Sequence, residues 1–104
     1  MNSSDCEINK YTKLAIKYVN EGNYNKGIDF IAIILDLNKN NGKTQYIMGF
    51  IFEFYKEDFK KASKWYTASY ANGYEMAATS LDRIIKKISS DNNILDRTNH
   101  MHLE

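Results

Sequence analysis

Side chains able to do covalent or acid–base chemistry are few and scattered. His100 and His102 are the only histidines, and Cys6 is the only cysteine. A zinc site takes three or four N, S or O ligands from the protein. Two histidines near the end of the chain fall short of that, so no metal is expected. Cys6 has no histidine upstream and no cluster of candidate catalytic residues around it, so a partly buried thiol on the first helix is expected rather than a nucleophile. Glu7, Glu53, Glu57 and Asp82 show no spacing that selects a pair for proton transfer. There is no glycine-rich phosphate loop and no His-Glu-x-x-His. Neither catalysis nor a cofactor is expected.

Residue types suited to recognition are better organised. Tyr46, Phe50 and Phe54 stand at i, i+4 and i+8, which puts three rings on one face of a helix. Arg83, Lys86 and Lys87 form one basic group, and Lys56, Lys60, Lys61 and Lys64 a second. The plain reading of both groups is a solvated helix face. For Lys86 and Lys87 a place near a helix C-terminus, where cations suit the dipole, adds to that reading. Nucleic-acid binding would need such groups to merge into a stripe with stacking aromatics. With 14 Lys+Arg against 13 Asp+Glu the net charge is +1, which excludes a strongly basic nucleic-acid binder and an acidic tail.

These residues need elements to hold them. The 104 residues suit one domain, and 43% hydrophobic residues supply a core. No apolar run approaches the ~18–20 residues of a membrane span. Met1 to Glu7 lack the charged and apolar regions of a secretory signal, so a reduced, cytoplasmic setting is expected.

Polar breaks at Glu21-Gly22-Asn23, Asn38 to Gly42, Lys56-Glu57-Asp58 and Asn72-Gly73 separate five segments. Each has the length of a globular helix. The first is expected from Asp5 to Glu21, with Ser4 and Glu7 as a capping box and Gly22 as the stop. The second spans Tyr24 to Leu37 behind Asn23, and the third Lys43 to Tyr55. The fourth starts at the cap Asp58 and stops at Gly73, and the fifth spans Tyr74 to Ser89. The third segment is rich in β-formers, but its length and lack of period-two alternation favour a helix buried on most sides over a buried strand. Residues 1–90 form the domain. Residues 91–104 are a tail opened by a break at Asp91-Asn92-Asn93, available as a cap, with Leu103-Glu104 matching a cloning-site remnant ahead of a purification tag.

The segments repeat. Leu14-Ala15-x-x-Tyr18 returns as Met48-Gly49-x-x-Phe52, 34 residues on. A third copy, Leu81-Asp82-x-x-Ile85, follows after 33 more, with Asp82 breaking the small-residue rule. In the second helices, Gly22-x-Tyr24-x-x-Gly27 parallels Asp58-Phe59-x-x-Ala62. A small residue lets two helices cross closely, and a hairpin that cannot bury its apolar face alone stacks on another.

Tyr11, Leu14, Ala15, Tyr18, Tyr24 and Gly27, then Gln45, Met48, Gly49, Phe52, Phe59 and Ala62, resemble the tetratricopeptide repeat. Gln45 stands where that family has an aromatic, and the closing proline is missing. Asp58-Phe59-Lys60-Lys61-Ala62-x-x-Trp65-Tyr66 with Gly73-x-x-x-Ala77-x-x-x-Leu81 is similar to the related Sel-one-like repeat, without that family's longer glycine-rich loop. The resemblance covers roughly residues 8–88. It implies an all-α, right-handed superhelix (a solenoid) of about two hairpins plus a capping helix.

The resemblance also implies a concave groove lined by the first helix of each hairpin. Its residues would be Thr12, Ile16, Val19 and Asn20, then Tyr46, Phe50, Glu53 and Phe54, then Thr79, Arg83, Lys86 and Lys87. Met48, Ile51, Phe52 and Tyr55 would lie in the core. The implied function is a non-catalytic adaptor or scaffold whose aromatic and basic groove, Tyr46, Phe50, Glu53, Phe54, Arg83, Lys86 and Lys87, takes a peptide or protein. The alternative is a small helical nucleic-acid binder using its lysines. The aromatic stripe has three readings: core, partner surface or self-association surface. The positions that grip a chaperone's C-terminal carboxylate in some relatives are Thr12, Ile16, Ile47, Met76 and Ser80 here, with no cation or asparagine among them. Two and a half hairpins are short for a solenoid, which leaves three readings: a piece of a larger array, a cap supplied by residues 91–102, or a concentration-dependent oligomer such as a homodimer, the last being the one expected.

Overall fold

The computed structural model describes the backbone of residues 3–103 and the side chains of residues 5–90. Among these described residues five helices follow in order: α1 Ser3–Asn20, α2 Tyr24–Leu37, α3 Gly42–Phe54, α4 Phe59–Ala71 and α5 Ala77–Leu103. The described residues contain no strand. The β-formers of the third segment are helical because α3 packs against both α2 and α4 and contacts α1, and that tertiary burial outweighs local propensity.

The helix ends follow their capping chemistry. Asn23, Asn41 and Asp58 accept hydrogen bonds from the backbone N–H of Lys26, Thr44 and Lys61. After α1, Gly22 sits at φ +83° while its N–H reaches the Val19 carbonyl and that of Asn23 reaches Tyr18. Gly73 repeats this after α4 at φ +92°, with Gly73 N–H on Tyr70 and Tyr74 N–H on Ser69. Both are Schellman stops, which glycine enters without a Cβ penalty. After α3 the left-handed residue is Glu57, at φ 52°.

Three expectations change. Helix α1 is already running at Ser3, so Ser4 stands inside it rather than at the cap. Helix α5 starts at Ala77, because Tyr74 is spent closing the turn after α4. It then continues through 91–93, where polar residues suggested a break, since asparagine and aspartate lower helix propensity without forbidding a helix. Lys86 and Lys87 are therefore mid-helix, and the dipole argument for them falls. The side chains of 91–104, including His100 and His102, lie outside the described residues, as does the tail's expected capping role.

Two clusters form the core. Ala15, Val19, Ile31, Ile47, Met48 and Ile51 join α1, α2 and α3, while Ala62, Tyr66 and Ile84 join α4 and α5. The small residues of the repeat mark close crossings. A Cβ on Gly27 would stand 2.8 Å from Val19 Cγ2 and 3.4 Å from the Ala15 carbonyl oxygen. A Cβ on Gly49 would stand 2.5 Å from the ring of Tyr66. The third small-residue position, Asp82, faces solvent and pairs with Lys86 at 3.1 Å. The reason is positional: Ala15 and Gly49 face the second helix of their own hairpins, and among the described residues α5 has no such helix after it.

Candidate functional site

The interhelical surface is built around an apolar depression. It encloses about 230 Å³ and is lined by Ile16, Val19 and Asn20 of α1, Lys43, Tyr46, Ile47 and Phe50 of α3, and Tyr74 ahead of α5. Five of the expected groove residues, Ile16, Val19, Asn20, Tyr46 and Phe50, thus meet at one place. The volume is below the ~300–1,000 Å³ of small-molecule pockets and suits one or two side chains.

Aromatic contacts fix the depression's walls. The Tyr46 ring lies 5.1 Å from that of Tyr74 and 5.6 Å from that of Tyr66, so Tyr46 is part wall and part core. Phe50 lies 4.7 Å from Phe54, whose ring is half exposed. The stripe therefore grades from packed at Tyr46 to open at Phe54. Tyr55, expected in the core, is 47% exposed and instead stacks on Tyr24 at 4.2 Å. Cys6, expected to be partly buried, is exposed.

Glu53 has a different place from the one expected. It is only 2% exposed, and its carboxylate points between α3, α4 and α5. It accepts four hydrogen bonds: Arg83 Nε to Oε2 and Nη2 to Oε1, both at 2.7 Å, Lys87 Nζ to Oε2 at 2.8 Å, and the Tyr66 hydroxyl to Oε1 at 2.7 Å. Burial alone would raise the Glu53 carboxyl. Hydrogen bonds from Arg83, Lys87 and Tyr66, with the charge of Arg83, outweigh that and hold it at about 2. Burial pushes the Tyr66 hydroxyl well above its ordinary value, and the adjoining Glu53 charge adds to the rise. Hydrogen bonding to Glu53 raises Arg83 further still. Glu53 is an internal anion that fixes α5 on the α3–α4 hairpin, rather than an acid offered to a ligand.

Arg83 and Lys87 are correspondingly not plain solvated cations. They bridge Glu53 to the surface, with side chains 40% and 37% exposed. Both cations lie over the Phe54 ring, Arg83 at 5.5 Å and Lys87 at 5.0 Å from its centre. Lys86 is ordinary by comparison: it points to solvent with Asp82. A shallow hollow of about 470 Å³ runs along α5 over Thr79, Asp82, Arg83, Lys86, Lys87 and Ser90. Thr12, expected in the groove, is buried, with its hydroxyl donating to the Ile8 carbonyl at 2.6 Å.

Sequence reasoning missed Tyr74, Lys43 and Tyr66. Tyr74 had a readable signal: the residue after a Schellman glycine commonly makes an apolar contact. Gln45 shows what replaces the aromatic of the repeat pattern. It is buried, donates to the Lys39 carbonyl and accepts from Asn72 Nδ2, both at 3.0 Å, so it ties the α2–α3 loop to the end of α4. Ser69 Oγ donates to the Gly42 carbonyl at 2.6 Å across the same contact.

Among the described residues no group of His, Cys, Asp and Glu is placed to hold a metal, and no helix is long and apolar enough to cross a membrane. Comparisons with known protein families, with curated proteins and with solved structures give no match.

Proposed function

We propose that this chain is a non-catalytic interaction module, a short tetratricopeptide-like superhelix that presents the face of α1, α3 and α5 to a peptide or protein partner. One observation carries the reading: Ile16, Val19, Tyr46, Ile47, Phe50 and Tyr74 converge on one apolar depression open at the surface. Apolar surface gathered in a concave site, beside an open aromatic such as Phe54, favours burial against a partner. The walls come from α1, α3 and the turn ahead of α5, and α1 and α3 are joined through the packed cluster of Ala15, Val19, Ile31, Ile47, Met48 and Ile51, so the site is formed before a ligand arrives. A preformed site loses less entropy on binding.

The test is a selection from a displayed library of random peptides, run on the wild-type chain and on the Phe50→Ala/Phe54→Ala double variant. The expected result is peptides enriched in apolar residues that bind the wild type and not the variant, with the helical circular-dichroism signal of the variant retained. Equal binding by both proteins would refute the site. Loss of helical signal in the variant and in each single substitution would assign the rings to the core and remove the proposal.

A further inference from the structure

Phe54, half exposed at the edge of the groove, meets α5 under Arg83 and Lys87. Two cations stand over one half-exposed ring, and neither is free to wander. Glu53 fixes both from below through hydrogen bonds of 2.7–2.8 Å. The rotamer freedom of Arg83 and Lys87 is thus lost on folding rather than on binding, which lowers the entropic cost of using them. Donors remain. Arg83 spends Nε and Nη2 on Glu53 and Ser80, and among the described residues Nη1 has no hydrogen-bond partner. Lys87 has three donors, of which one serves Glu53.

The charge count sets the kind of anion. Arg83, Lys86 and Lys87 stand against Glu53 and Asp82, leaving one net positive charge. Nucleic-acid affinity grows with the number of phosphates neutralised, so one net charge is poor provision for a polyphosphate chain. It matches one carboxylate. The place is also continuous with the apolar depression, because Phe50 lines that depression and contacts Phe54 at 4.7 Å.

We propose that Arg83 and Lys87, held over the Phe54 ring, receive the carboxylate of an acidic peptide whose apolar side chain occupies the depression between α1 and α3. The proposal rests on the groove reading above and names its ligand. It sets a spacing too. One turn of α3 from Phe50 to Phe54 is about 6 Å. An extended peptide covers that in about two residues, so the acid falls about two to four residues from the anchor. This differs from the carboxylate grip of some tetratricopeptide domains, whose matching positions here are Thr12, Ile16, Ile47, Met76 and Ser80.

The probes are synthetic peptides carrying one Leu, Phe or Trp anchor and, two to four residues away, Glu, Gln or Lys, on a Ser/Ala background. Their affinities are measured on the full chain by fluorescence anisotropy. Changing the peptide leaves the protein's own Glu53 network untouched. The expected result is that Glu peptides bind about five- to ten-fold tighter than Gln peptides, with Lys peptides weaker still, in line with a partly exposed charge-assisted contact. Lys87→Met keeps an apolar stem over Phe54 and leaves Arg83 on Glu53. It should shrink the Glu/Gln ratio at least two-fold while the helical signal stays.

Equal affinity for Glu and Gln peptides overturns the proposal and leaves the groove standing. No binding of any anchored peptide overturns both. Displacement of bound peptide by an oligouridine at equal concentration also overturns it, assigning the cations to phosphodiesters.

Discussion

Replacing Glu53 by Gln removes one charge and changes hardly any volume, which makes it a sharp test of how α5 is held. In the native chain the carboxylate accepts all four hydrogen bonds available to it from Arg83, Lys87 and Tyr66. A glutamine offers one acceptor oxygen and turns an NH₂ toward donors. Holding the carboxyl at about 2 instead of its ordinary 4.5 corresponds to about 3 kcal/mol of stability at neutral pH. That is an upper figure, because Arg83 and Lys87 are more than a third exposed and solvent screens them. On loss of Glu53 both cations can also turn to water. The expected cost of Glu53→Gln is therefore about 2 kcal/mol, less than the ~3–5 kcal/mol for stranding a fully buried charge.

Urea unfolding followed by circular dichroism reads this directly as a lower midpoint at unchanged slope. The pH dependence carries the sign. The folded-state value lies below the unfolded one, so the contribution is present above about 4.5 and is lost as pH falls toward about 2. The gap between wild type and variant should be full at pH 7 and close across that window. A gap under about 0.5 kcal/mol at pH 7, or one that persists unchanged into acid, would refute the role assigned to Glu53. Replacing the whole set by apolar residues, Glu53→Leu with Tyr66→Phe, Arg83→Met and Lys87→Met, should recover much of the loss, since it strands neither a charge nor the buried Tyr66 hydroxyl.

Two further outcomes follow from the same packing. Gly49→Ala should cost about 1–3 kcal/mol, because the new methyl meets a buried Tyr66 ring whose hydroxyl is tied to Glu53. Gly27→Ala meets one methyl of Val19 at 2.8 Å and the Ala15 carbonyl oxygen at no less than 3.4 Å, and should cost less; thermal denaturation giving the reverse order would contradict the crossing geometry. Ile85 is 51% exposed on the face of α5 that takes no following helix among the described residues. If two copies cover each other there, sedimentation velocity will show a concentration-dependent dimer that Ile85→Glu abolishes. A monomer throughout a wide concentration range would remove that expectation.

Much of the architecture was legible because it depends on local rules and on one short repeat. Asn23 and Asp58 start helices, and Gly22 and Gly73 stop them, by hydrogen bonds and backbone angles that involve only near neighbours, so residue type and order sufficed to place them. Ala15 and Gly49 marked the hairpin crossings because only a small side chain fits where two helices nearly touch. The rings of Tyr46, Phe50 and Phe54 share a face of α3 by helical period alone.

What each of those side chains does was decided elsewhere. Glu53 reads in sequence as one more charge on a groove face. It becomes an internal anion only because α4 and α5 bring Tyr66, Arg83 and Lys87 to it from 13, 30 and 34 residues away. Tyr46 and Phe54 have the same spacing pattern, yet one is packed between Tyr66 and Tyr74 and the other stands open under two cations. Helical period assigns a face, but burial and charge pairing depend on which other helix arrives there. That is set by the summed packing of the whole chain, not by any segment of it.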